Sequence, residues 1–246
     1  MKSIITSAIR KGPRPYQENR FVVCPIKNGP QIGELLAVMD GHGDGTAAEL
    51  CSQRISDFRV FDLEVKDALK VIVRELDSAT KDLRGGTTLS IAFVADFPRV
   101  AHVAIIGDSP VVILDSSGKL HVSPEHNVRT NLAERKGAEK RGGVYSYGYI
   151  WNHYGSHGLQ MSRALGNADL GNIISKKPEI YTVDAPVWVL VASDGLFDPG
   201  HGDTISLLEE IKEYAALKAS ADMLMKWAEK RGLEDNATAL VWCPAE

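Results

Sequence analysis

The sequence is short of cysteine, of basic charge and of long apolar runs. Three cysteines, Cys24, Cys51 and Cys243, are scattered over 246 residues with no CxxC pair. An odd, dispersed count gives neither a disulfide framework nor a zinc ribbon. Reduced, buried thiols in a cytoplasmic protein are the expectation. Lys and Arg number 28 against 32 Asp and Glu, for a net charge of −4. That balance argues against a nucleic-acid partner, which calls for a basic excess, but not against a phosphorylated substrate, which local charge decides. No run approaches the roughly 18 apolar residues of a membrane span, and residues 1–7 lack the apolar centre of a secretory signal. The sequon Asn236-Ala237-Thr238 is therefore read as chance. Repeats, low-complexity tracts and Ser/Gly linkers are missing too, so residues 1–246 read as one domain, expected to be a monomer. A single core of that length covers roughly three quarters of the surface its unfolded chain exposes, so the fold needs no metal to stand.

What is present is a series of apolar runs cut by turn residues. Residues 4–9, 21–24, 35–39, 87–95, 100–106, 111–114, 119–122, 179–183, 187–192 and 237–242 read as strands, Pro25 bounding the second. Apolar steps of three and four predict helices over 47–58, capped by Thr46, and over 65–79, with a second pair near 204–214 and 219–230. Residues 124–160 show little period, so a short helix near 131–136 and an otherwise irregular region are expected. Trp188, Trp227 and Trp242 fall on apolar stretches and read as core, with Trp151 more exposed. Strand blocks with helices inserted in pairs predict an α+β fold, a β-sandwich of two antiparallel sheets flanked on each side by helix pairs, rather than a regularly alternating parallel sheet.

The aspartates fall in telling places. Asp40 follows Leu-Ala-Val-Met, Asp108 follows Ile-Ile-Gly, Asp194 follows Val-Ala-Ser, and Asp235 precedes the last apolar run; Glu18 comes shortly before Phe21. A single Asp or Gly after a strand is ordinary turn chemistry. Four such ends crowd carboxylates at the mouth of a rigid scaffold, where they repel unless cations lie between them. Hard ions such as Mg²⁺ or Mn²⁺ want oxygen ligands, and two of them can present a hydroxide to a phosphate.

Short motifs sharpen this. Arg14-Pro15-Tyr16-Gln17-Glu18-Asn19, Asp40-Gly41-His42-Gly43, Gly86-Thr87-Thr88, Gly107-Asp108-Ser109, Ser162-Arg163-Ala164-Leu165-Gly166, the segment 192–198 (ASDGLFD) and Asp235-Asn236-Ala237-Thr238 occur in one order over residues 14–238. The ordered set resembles the metal-dependent Ser/Thr protein phosphatases of type 2C. The resemblance implies that Asp40 bridges two Mn²⁺ or Mg²⁺ ions, with Glu18 and the Gly41 carbonyl completing one site and Asp194 and Asp235 the other. Asp108 and Asp198 match positions of a weaker third metal. A deprotonated water between the metals would attack phosphorus in line, Arg14 would grip the substrate phosphate, and His42 would be the general acid for the leaving alkoxide. The implied partner is a phosphoserine or phosphothreonine protein. Asn19 and Asn167 stand where the family usually has Asp, and Glu125-His126 replaces Asp-His. Because an Asp at position 19 would orient metal-bound water, Asn19→Asp is expected to raise activity. The alternative reading is a phosphatase-like module that binds a partner without catalysis.

Other features invite metal or ligand readings. His153 and His157 have HxxxH spacing, but in a Gly- and Tyr-rich stretch that reads as a loop. Residues 40–44 suggest a calcium loop, yet Cys51 stands where its bidentate Glu should be. Arg135, Lys136, Lys140 and Arg141 form a basic run, either a solvated face or a patch facing a phosphopeptide, in an interval that the family uses as a variable flap.

Overall fold

The computed structural model describes residues 3–58, 60–197 and 204–245. The chain runs through β1 (Ser3–Arg10), β2 (Arg20–Asn28), β3 (Gln31–Met39), β4 (Gly41–His42), α1 (Thr46–Ile55), β5 (Val60–Phe61) and α2 (Val65–Thr80). Next come β6 (Gly86–Thr87), β7 (Leu89–Ala95), β8 (Val100–Ile106), β9 (Val111–Asp115), β10 (Leu120–Val122) and α3 (Leu132–Lys140). The short β11 (Val144–Ser146), β12 (Tyr149–Trp151), β13 (Gly158–Leu159) and β14 (Leu165–Gly166) precede β15 (Glu179–Asp184), β16 (Pro186–Ala192), α4 (Thr204–Ala216), α5 (Ala221–Arg231) and β17 (Ala237–Pro244).

Two sheets carry the fold, in strand orders β1-β17-β16-β9-β10 and β15-β8-β7-β3-β2-β5. All their pairings are antiparallel except β2 with β5. Alternate residues of each inner strand face opposite ways, so both faces must be covered. One set from each sheet, including Leu36, Val38, Val103, Ile113, Val191 and Leu240, meets in the central layer. The opposite faces bury Leu35, Ile91 and Phe93 under α1 and α2, and Trp188, Leu190 and Val241 under α5 and α4. The result is the expected sandwich with a helix pair on each side. Trp188, Trp227 and Trp242 are core, and Trp151 is partly exposed.

Four local readings change. β2 continues through Pro25 to Asn28, because among the described residues its second neighbour, β5, joins only at Lys27 and Asn28, which leaves the Pro25 edge without a ladder partner there, so its missing N–H costs nothing. Helix α1 is capped by Gly45 at φ 71°, not by Thr46, whose N–H is taken by Asp44 Oδ1 at 3.0 Å. The region 124–160 is less irregular than its composition suggests: β11, β12 and β13 make a small sheet over a separate cluster that includes Val128, Ala138, Ile150 and Leu170. Half of the basic run is structural. Arg135 donates to the Val128 carbonyl and stacks on Tyr145, and Arg141 donates to the carbonyls of Ile173 and Ser162. Only Lys136 and Lys140 remain as free exposed amines of that run.

Candidate active site

Strand ends converge on one cleft of about 310 Å³. Asp40 lies between β3 and β4. Its N–H donates to Thr88 Oγ1 at 3.0 Å, and its carbonyl accepts from Thr88 N–H at 2.9 Å and Thr87 Oγ1 at 3.0 Å. The Gly-Thr-Thr motif thus clamps the Asp40 backbone at the break between β6 and β7. Gly41 must be glycine, because a Cβ there would lie 2.4 Å from the Glu18 carbonyl. That close approach sets Glu18 beside the Asp40-Gly41 turn.

Asn236 does the remaining assembly. Its Nδ2 donates to the carbonyls of Lys11 at 2.7 Å and Tyr16 at 3.0 Å, and its Oδ1 accepts from Glu18 N–H at 2.7 Å. The loop after β1 is therefore moulded onto the residue that enters β17, and Arg14 Nη2 comes 2.6 Å from Asp235 Oδ2. The motif Asp235-Asn236-Ala237-Thr238 contains Asn236, but nothing in the sequence assigned that residue a role of its own; its place between Asp235 and the last strand was the available signal. Asp194 follows β16, where Ser193 and Thr238 exchange hydrogen bonds. Asp108 follows β8 and accepts from Asn127 Nδ2 at 3.0 Å, while His126 Nδ1 accepts from Gly107 N–H at 3.1 Å. The 125–127 segment is thus a support for the Asp108 turn.

The cleft brings together Arg14, Glu18, Asp40, Gly41 and His42 with Asp108, Asp194 and Asp235. Tyr149, Leu159 and Met161, from the small-sheet region, also line it. Asp198 lies outside the described residues. The HxxxH pair does not converge on a site: exposed His153 meets Tyr154 edge to face, and His157 lies 3.2 Å from Asp169.

The electrostatics follow from crowding. Burial holds the Asp40 carboxyl well above its ordinary range, and Asp194, Asp108 and Asp235 push it the same way. Glu18 is raised by burial, then by Asp44 and Asp235, against Arg14. His42 is lowered, burial outweighing its bond to Asn167. Among the described residues, no three acidic, His or Cys side chains close into a ready-made ligand cage. The carboxylates are paired otherwise, Asp40 with Asp194 and Asp235 with Arg14. An all-oxygen donor set whose members raise one another's proton affinity fits hard divalent cations, which relieve that repulsion.

Asn19 is explained by its neighbours. Its buried Nδ2 donates to the Asn236 carbonyl and Thr238 Oγ1, both at 3.3 Å. A carboxylate could not donate to that carbonyl, so the structure argues against the expected gain from Asn19→Asp.

The profile of the family described as "Protein phosphatase 2C" matches residues 18–237. A rice (Oryza sativa subsp. japonica) relative named "Probable protein phosphatase 2C 56" is 30% identical over 94% of this chain and 68% of its own length. Protein phosphatase 1L of Bos taurus is 27% identical over 94% of this chain and 69% of its own. Among solved structures, the serine/threonine phosphatase PstP/Ppp of Mycobacterium tuberculosis aligns at TM-score 0.68 and 23% identity, covering 99% of both chains. The serine/threonine phosphatase Stp1 of Staphylococcus aureus aligns at 0.70 and 18%, over 100% of this chain and 96% of that one. At those identities the two structures bear on the fold.

Proposed function

The chain belongs to the protein phosphatase 2C family and is a metal-dependent serine/threonine protein phosphatase, and we propose that the carboxylate cleft is where it hydrolyses phosphoproteins. The observation that carries this assignment is the meeting of Arg14, Glu18, Asp40, His42, Asp194 and Asp235 around one small opening. Glu18, Asp40, Asp194, Asp235 and the Gly41 carbonyl would hold two Mn²⁺ or Mg²⁺ ions, with Asp108 in the same cleft for a third. When bound, such a pair supplies an acidified water and positive charge opposite the phosphate.

The protein's own groups do the rest. Arg14 is exposed at the rim, tethered through Nε to the Glu234 carbonyl at 3.2 Å. Its guanidinium can turn from Asp235 to the phosphate oxygens, which its planar fork matches. His42 lines the same cleft and donates a proton to the departing serine or threonine oxygen, a poor leaving group without one. Tyr149, Leu159 and Met161 line the same cleft and offer apolar surface against which the polypeptide carrying the phosphate would rest.

The three cysteines are buried and form no disulfide with one another, which suits a protein working in a reducing cytoplasm; it is expected to act as a monomer. The central test is release of phosphate from a phosphoserine peptide. Activity should vanish in excess EDTA and return with Mn²⁺ or Mg²⁺; full turnover in chelator would refute the assignment.

A further inference from the structure

The geometry points to Asn167 as the positioning residue that holds the His42 ring by Nε2 and leaves Nδ1 as its working nitrogen. This rests on the reading of His42 as proton donor. Strands β14, β6 and β4 form a small sheet in that order, with Gly166 opposite Gly86 and Gly86 opposite His42. The row thus has a glycine in the middle, and the side chains on either side meet over it. His42 Nε2 lies 3.1 Å from Asn167 Oδ1 and 3.0 Å from Nδ2. A Cβ on Gly86 would fall 2.1 Å from Asn167 Oδ1 and 2.6 Å from His42 Nε2, so the contact exists only because residue 86 has no side chain.

Asn167 is itself fixed. It is buried and left-handed at φ 59°, a conformation asparagine tolerates better than most residues. Its N–H donates to the Gly85 carbonyl at 3.1 Å, and its carbonyl accepts from Leu170 N–H at 3.0 Å. Beneath it, Lys176 Nζ donates to the carbonyls of Ala164, at 2.9 Å, and Gly166, pinning β14 from the other side. With Oδ1 turned to the ring, the amide accepts from Nε2–H and favours the imidazolium, the form in which Nδ1 also carries a proton it can give. Among the described residues Nδ1 is buried without a hydrogen-bond partner, the one ring nitrogen not spoken for. In the cleavage step the ring starts as imidazolium; the Nδ1–H bond breaks and leaves its electron pair on nitrogen, the proton goes to the seryl oxygen, and the electron pair of the breaking P–O bond goes to that same oxygen. Asn167 keeps its grip on Nε2 throughout.

The test compares Mn²⁺-loaded wild type, Asn167→Gly, Asn167→Asp and His42→Gln on a phosphoserine peptide and on p-nitrophenyl phosphate, whose leaving group needs no proton. Glycine accepts the left-handed backbone, so Asn167→Gly removes the amide with little strain; if it fails to melt cooperatively, Asn167→Ser, too short to reach Nε2, replaces it. Asn167→Gly should lower kcat on the peptide by about 10-fold more than on p-nitrophenyl phosphate, part of the roughly 10²–10⁴-fold that general acid catalysis supplies. KM should stay within about twofold, and Asn167→Asp, which keeps an acceptor, should restore the peptide rate. A selective peptide defect in His42→Gln with none in Asn167→Gly overturns the positioning role alone. Equal defects of His42→Gln on both substrates overturn the acid reading and the role of Asn167 with it.

Discussion

The carboxylate cleft and the support behind His42, a charged wall and a neutral one, solve opposite electrostatic problems. On one, Asp40, Asp194, Asp235 and Glu18 are packed so that each makes its neighbours harder to ionise. On the other, His42, Asn167 and Lys176 are joined by bonds to amide and carbonyl groups, and burial disfavours charge on both the imidazole and the amine. The first wall keeps unfavourable charge in reserve for a cation. The second is held from within, through His42 Nε2 and the Lys176 amine, and serves orientation. The contrast teaches that stability and catalysis are coupled in opposite senses on the two sides: removing a group from the charged wall should relax the fold, while disturbing the neutral wall should cost it order.

The sharpest way to break the contrast is Asp40→Asn. Turnover should fall to background, because the carboxylate shared by both proposed metal sites is gone. In EDTA the same variant should melt higher, since a like-charge repulsion of about 1 kcal/mol corresponds to about 2–4 °C in a domain of this size. Phosphate release and a thermal melt without metal check the two halves; a lower melting temperature would show that Asp40 holds the fold rather than straining it. Next in size is Gly86→Ala. Its Cβ cannot coexist with the Asn167–His42 contact, and a misplacement near 1 Å costs about 10²-fold in rate. That loss should appear in kcat for phosphoserine peptides, with Mn²⁺ binding by calorimetry close to wild type.

Lys176 gives a pH signature to the neutral wall. Its amine is pushed by burial from 10.5 down to about 8. The unfolded chain therefore holds this proton more tightly than the folded one. Stability from this group rises with pH between about 8 and 10.5 and is lost as pH falls through 8. Measured by urea unfolding, the advantage of wild type over Lys176→Met should grow across that window, with a ceiling of about 3 kcal/mol. A difference that stays flat would mean the amine is solvated. The smallest expected effect is Asn19→Asp, which places a carboxylate against the Asn236 carbonyl. A loss of about 1–3 kcal/mol in unfolding free energy is the expected outcome, and a gain in activity at limiting Mn²⁺ would restore the sequence-based expectation.

What could be read in the sequence was what is local. An apolar run followed by Asp and Gly is contiguous, so β3 with Asp40, β8 with Asp108 and β16 with Asp194 could be read directly, as could the helix pairs. β11, β12 and β13 could not, because strands of two or three residues are too short for an alternation to register. The neutral wall was equally hidden: His42 and Asn167 lie 125 residues apart, and nothing about Gly86 announces that two side chains cross above it. Arg135 and Arg141 looked like surface charge because composition does not reveal which guanidinium finds a carbonyl. The resemblance carried the roles of Arg14, Glu18 and His42, and marked Asn19 and Asn167 as departures without saying what either touches.

β1 and β17 pair along their whole lengths, Ser3 with Pro244 through Arg10 with Ala237, and the residues just beyond that pairing are Arg14, Glu18 and Asp235. On the ribosome this fixes a schedule. Arg14 waits through 221 further residues for Asp235, a closure that no local structure can hasten. Asp40, Asp108 and Asp194 are made earlier, but a nascent chain that has not yet threaded β17 between β1 and β16 lacks Asp235, and its Arg14 and Glu18 lack the Asn236 frame that sets their loop. A truncation that removes Asp235 and Asn236 with the last strand should therefore yield a chain that is inert rather than merely slow.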